Sequence, residues 1–72
     1  MMDIKAPMSG NVWKVLVKEA DVVKAGQTLI ILESMKMEIP VETEEDGKVE
    51  KVFVSEGDFV QEDSSLLILK LC

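Results

Sequence analysis

The segment Glu33-Ser34-Met35-Lys36-Met37-Glu38 sets a primary amine between two thioethers, with a carboxylate on either side. One chemistry fits this grouping. The lysine is offered to another protein, and the flexible, polarizable methionines form an adaptable surface around it without a charge to desolvate. A second reading keeps both methionines tucked into the fold and leaves Lys36 as an ordinary solvated turn lysine. Little else in the chain competes as a reactive group. Histidine is absent, which removes imidazole acid–base catalysis, nucleophile–histidine pairs and histidine-containing metal sites. Cys72 is a lone thiol beside Lys70, without grounds for a lowered pKa. The carboxylates of Glu42, Glu44, Glu45 and Asp46 lack the recurrent ligand spacing of a hard-cation loop and read as a solvated strand end and turn, so no metal site is expected.

Size and charge narrow the field further. A chain of 72 residues makes one domain at most and leaves little interior for a closed catalytic cavity beside its core. No catalytic residues are assigned. Fourteen acidic against eight basic residues give a net charge of −6, which argues against nucleic acid because phosphate binding needs clustered cations. No apolar run reaches membrane-spanning length, and the start lacks a signal-peptide pattern. With its unpaired cysteine the chain is expected to be cytoplasmic and to need no membrane partner.

The elements that must hold Lys36 follow from an internal repeat. A shift of 37 positions aligns Gly10 with Gly47 and matches 11 of the 24 residues from Gly10 to Glu33, among them Val12/Val49, Val17/Val54, Asp21/Asp58, Leu29/Leu66 and Leu32/Leu69. Each half carries the same order: glycine, a valine-rich run, a turn with aspartate, then a short apolar run. The β-branched runs Val12 to Val17 and Val49 to Val54 predict strands, as do Leu29 to Leu32 and Leu66 to Leu69. Strands near Ile4 to Ala6 and Ile39 to Thr43 open the halves, which extend over about residues 4–34 and 41–71 of a single 1–72 domain. Turns are expected at Pro7 to Gly10, Ala20-Asp21, Ala25-Gly26, Glu45 to Gly47 and Glu56 to Asp58. Glycines at strand junctions, with no helix after them, do not form a phosphate cradle. Trp13 belongs in a core or rim position of its strand.

Neither half can bury its own apolar face, so the two must pack together. The expected fold is all-β: a flattened antiparallel β-barrel or sandwich of two small sheets with pseudo-two-fold symmetry, a barrel-sandwich hybrid. The link between the halves, at Met35 to Glu38, then projects from one end, and its symmetry counterpart is the pair of chain termini at the other. A tight hairpin at that link favours Asn-Gly, Asp-Gly or Gly-X, because its residues need positive φ. None of these is present. A locally unfavourable choice of this kind marks a candidate functional position.

These residues resemble a known family. Glu33-Ser34-Met35-Lys36-Met37, after Gly26-Gln27 and Leu29 to Leu32, is similar to the attachment site of biotin carboxyl carrier domains. Ala6-Pro7-Met8-Ser9-Gly10 and Gly57-Asp58-Phe59-Val60 resemble the entry segment and second-half turn of the same biotinyl/lipoyl attachment domains. The resemblance covers essentially the whole chain. It implies that Lys36 receives biotin from a biotin protein ligase, with Glu33, Ser34, Met35, Met37 and Glu38 as ligase-recognition residues. It also implies a monomeric, non-catalytic carrier serving the biotin carboxylase and carboxyltransferase components of a biotin-dependent carboxylase such as acetyl-CoA carboxylase. Ser34 replaces the commoner alanine, and Ala20 stands where a glycine is frequent. The gapless stretch Val17 to Val23 lacks the thumb insertion of some acetyl-CoA carboxylase carriers. Lipoate, for acyl or aminomethyl transfer, is the alternative cofactor, alone or beside biotin in a dual attachment protein, although lipoyl domains typically place Asp-Lys-Ala at this turn. An unmodified β-sandwich binding module is the alternative of another class.

Overall fold

A computed structural model describes residues 1–71. Cys72, to which no role was assigned, lies outside them. Eight strands follow in order: β1 Met2–Lys5, β2 Gly10–Val15, β3 Val22–Val23, β4 Thr28–Ser34, β5 Met37–Glu42, β6 Gly47–Val52, β7 Phe59–Val60 and β8 Ser65–Leu71. They form two four-stranded antiparallel sheets, ordered β1-β8-β6-β3 and β5-β4-β2-β7.

The repeat carries through to the backbone. A shift of 37 takes β2 onto β6, β3 onto β7 and β4 onto β8 without a change of length. The burial patterns of β2 and β6 coincide, as do those of β3 and β7. Each sheet takes strands from both halves: β7 pairs with β2, and β3 with β6. The halves are therefore interlocked, and their apolar residues meet in one core. Val23, Leu29, Ile30, Leu32, Leu66, Leu67 and Leu69 have no exposed surface, and Val12 and Val49 are nearly as deep.

Several boundaries differ from the sequence expectation. The valine-rich strands begin at Gly10 and Gly47 rather than two residues later, and both glycines are strand residues rather than turn residues. Packing explains the difference. A Cβ on Gly47 would stand 2.9 Å from the Lys70 carbonyl oxygen, so only a residue without a side chain lets β6 approach β8 at that point. In β2 and β6 the register slips between Val12 and Lys14 and between Val49 and Lys51. These bulges bend the strands, as an extra residue in one strand of a pair does. Trp13 sits in the first bulge, 42 % exposed, with the Lys14 ammonium 5.4 Å from its ring centre. It is a rim residue. The two-residue strands β3 and β7 have no counterpart among the strands expected from the sequence.

Topology also places the ends. Four residues link Glu42 of β5 to Gly47 of β6, and four link Val23 of β3 to Thr28 of β4. Links this short hold the Thr28/Glu42 end of one sheet beside the Gly47/Leu71 end of the other. Met2 opposes Leu69 at that same end. The first and last described residues thus gather at one end of a molecule 35 Å long, and the β4–β5 hairpin stands at the other.

Candidate functional site

The hairpin at residues 33–38 is made by two strands that differ in depth. β4 is anchored by Leu29, Ile30 and Leu32, all fully buried, while β5 is an edge strand that pairs with β4 alone and reaches the core through Val41 and Ile39. Leu32 opposes Ile39, Glu33 opposes Glu38, and Ser34 opposes Met37. Only Met35 and Lys36 remain for the loop. Both have positive φ, 52° and 65°, the pattern of a type I′ turn, whose usual residues are asparagine, aspartate and glycine. Side chains with a Cβ sit there at a cost of about 1–2 kcal/mol each.

Both methionines are solvent-facing: Met35 is 85 % exposed and Met37 is 56 % exposed. They do not tuck into the sheet. Strand alternation turns Ser34 and Met37 toward the inner side, but beyond Leu32 and Ile39 there is no more core for them to enter. Lys36 is exposed at the tip. One row below, Glu33 and Glu38 face each other across the two strands, both exposed. Like charges directly opposed destabilise a strand pair. In this hairpin, then, turn residues, apolar exposure and charge pairing all run against folding preference.

The base beneath it is closely fitted. A Cβ on Gly10 would lie 2.7 Å from the Glu33 carbonyl oxygen and 3.2 Å from Ser34 Cβ. Glycine therefore lets β2 press against the last residues of β4 before the turn, which fixes the direction in which the tip projects. The same row continues sideways, since Asn11 opposes Glu33 on one side and Phe59 on the other. Phe59 is 64 % exposed. Sequence reasoning did not connect Gly10, Asn11 or Phe59 with Lys36, because only the interlocking of the two halves brings β7 alongside β2. The one available signal was a phenylalanine at the exposed position where the first half has Val22. Of the acidic stretch, Asp46 accepts the Ala25 N–H at 2.8 Å and Glu42 closes β5.

A family model described as "Biotin-requiring enzyme", of the biotin/lipoyl class, matches residues 2–69. The chain belongs to this biotin/lipoyl family. Among its relatives, a biotin/lipoyl attachment protein of Bacillus subtilis is 50 % identical over 46 residues, 64 % of this chain and 63 % of that protein. The methylmalonyl-CoA carboxyltransferase 1.3S subunit of Propionibacterium freudenreichii is 64 % identical over 36 residues, half of this chain and 29 % of the subunit. The matched stretches thus span less than two thirds of either relative. The solution structure of the lipoyl domain of the Azotobacter vinelandii 2-oxoglutarate dehydrogenase complex superposes with a TM-score of 0.83 at 29 % identity, over 97 % of this chain and 96 % of that domain. The all-β architecture is accordingly that of a biotin/lipoyl attachment domain, and members of the family carry biotin or lipoate covalently.

Proposed function

We propose that the protein is a biotin carboxyl carrier in which the ε-amine of Lys36 is acylated by biotin through a biotin protein ligase. The observation that carries this reading is the turn itself: the amine stands at the tip of a two-residue left-handed turn, between two exposed thioethers, in a chain of the biotin/lipoyl family. The site suits such a group. The side chain is exposed on a tip that offers no wall to obstruct a long acyl arm, and the amine becomes an uncharged amide. The group would accept and release a carboxyl unit. Everything else is supplied by this chain as a base: β4 holds the tip fixed through Leu29, Ile30 and Leu32, and Gly10 sets its direction.

In this reading Met35 and Met37 give the ligase an apolar surface on either side of the amine, and Glu33, Ser34 and Glu38 present hydrogen-bonding groups just below. The protein performs no chemistry of its own. By tethering it raises the concentration of the carried group near two successive catalytic centres, those of a biotin carboxylase and a carboxyltransferase. The likeness to a carboxyltransferase subunit supports biotin. Lipoate is the second reading, supported by the likeness to a lipoyl domain along nearly its whole length.

Intact mass separates these outcomes. Wild type and Lys36→Arg are incubated with ATP and either biotin and its ligase or lipoate and its ligase. A single biotinyl mass on wild type and none on the variant is the expected result. A lipoyl mass alone moves the protein to acyl-transfer chemistry, and no adduct from either reaction leaves an unmodified binding module.

A further inference from the structure

We propose that Met35 and Met37 form an oxidation-sensitive pair, and that their conversion to sulfoxides by a peroxide withholds Lys36 from acylation. This inference rests on the carrier reading above. Two observations lead to it. The first is exposure: at 85 % and 56 % these thioethers are open to solvent, whereas Met2 and Met8 are half-buried, and Met2 packs against the core. Susceptibility of methionine to oxidants follows access. The second is independence from the fold. Neither Met35 nor Met37 belongs to the core or to the partly buried residues packed on it, so oxygen added to either sulfur changes the surface of the tip without loosening the domain.

The chemistry balances simply. The sulfur lone pair attacks one oxygen of hydrogen peroxide, the O–O bond breaks, and the products are a sulfoxide and water; sulfur is oxidised by two electrons and peroxide reduced by two. A flexible apolar side chain thereby becomes a polar one. An enzyme that buries this tip must then desolvate a sulfoxide oxygen without a prepared hydrogen-bond donor, which is unfavourable. The two thioethers bracket the amine in sequence, so neither face of the turn escapes. Met1 supplies an internal control. It is 79 % exposed but belongs to the terminal end of the molecule, remote from the hairpin.

The test uses apo-protein carrying Met2→Leu, Met8→Leu and Cys72→Ser, so that Met1, Met35 and Met37 are the only sulfur atoms left. It is treated with hydrogen peroxide, peptide-mapped, and assayed for biotinylation and for lipoylation. The expected result is one added oxygen on each of Met1, Met35 and Met37 and a roughly tenfold fall in kcat/KM for acylation. Unchanged circular dichroism and recovery with methionine sulfoxide reductases complete that expectation. Met35→Leu/Met37→Leu, compared with itself before and after peroxide, should show no change in rate. Full activity with both sulfoxides mapped overturns the proposal, as does a rate loss in the leucine pair or a tip that peroxide leaves unoxidised. If the untreated protein accepts neither biotin nor lipoate, the carrier reading has failed, and this inference falls with it.

Discussion

Ala20 and Gly57 occupy the same left-handed backbone position 37 residues apart, with φ of 76° and 95°. The N–H of Ala20 donates to the Val49 carbonyl and that of Gly57 to the Val12 carbonyl, both at 2.8 Å, so each turn ties its half to the other. Around them the Lys18 N–H donates to the Asp21 carboxylate at 2.9 Å and the Ser55 N–H to Asp58 at 2.8 Å. The geometry is shared, but only one of the two residues is free of a Cβ. A second such pair is inverted: Gly26 has φ of 86° in the first half, and Asp63 has φ of 70° in the second.

Ala20→Gly should therefore raise stability by about 1 kcal/mol, because relief of left-handed strain exceeds the added chain entropy of glycine. Gly57→Ala should lower it by a similar amount. Nothing lies within 4 Å of a Cβ at Gly57, so the effect comes from the backbone alone. Urea denaturation of both variants checks the pair, and equal midpoints for all three proteins would contradict it.

Gly10→Ala acts through space instead. The new methyl group meets the Glu33 carbonyl oxygen at 2.7 Å, and the base of the hairpin has to shift. A loss of about 2 kcal/mol is expected. Acylation of Lys36 should slow even at temperatures where the variant is fully folded, as single-turnover ligation on folded protein would reveal.

Replacing the tip by the residues its geometry prefers separates stability from function. Met35→Asn/Lys36→Gly supplies the Asn-Gly pair of a type I′ turn and should stabilise the domain by about 1–2 kcal/mol while removing the acceptor amine. A lower melting temperature for this variant would show that the left-handed turn is not a strained one.

Met35→Ala and Met37→Ala should each change stability by no more than about 0.5 kcal/mol, since both side chains are exposed. Ligation should fall roughly tenfold where a thioether fills a pocket in the enzyme. Thermal melts and ligation kinetics on the same samples decide the matter.

The fold was readable to the extent that it follows from repetition and alternation. Val12, Leu29 and Leu32 declare themselves with Val49, Leu66 and Leu69, and together they define two interlocked sheets. Burial decided those residues, and burial leaves a compositional trace. The two-residue strands β3 and β7 left none, because Val22–Val23 and Phe59–Val60 are too short to alternate and are strands only by virtue of partners in the opposite half. At the hairpin, the sequence showed that Met35-Lys36 was a poor turn, and the positive φ of both residues gives the physical content of that mismatch. The contribution of Gly10 depends on one interstrand distance, which no local pattern encodes.

The first and last described residues, Met1 and Leu71, lie together at the pole opposite Lys36, in a body 35 Å long and only 20 by 18 Å across. Any flexible segment joined to either end would act as a pivot, and the domain as a stiff lever with the lysine at its far tip. Rotation about that pivot would sweep the amine along an arc whose radius is about the length of the molecule. The distance covered by such a carrier would then be set by the rigid domain itself before any extension of a side chain is added.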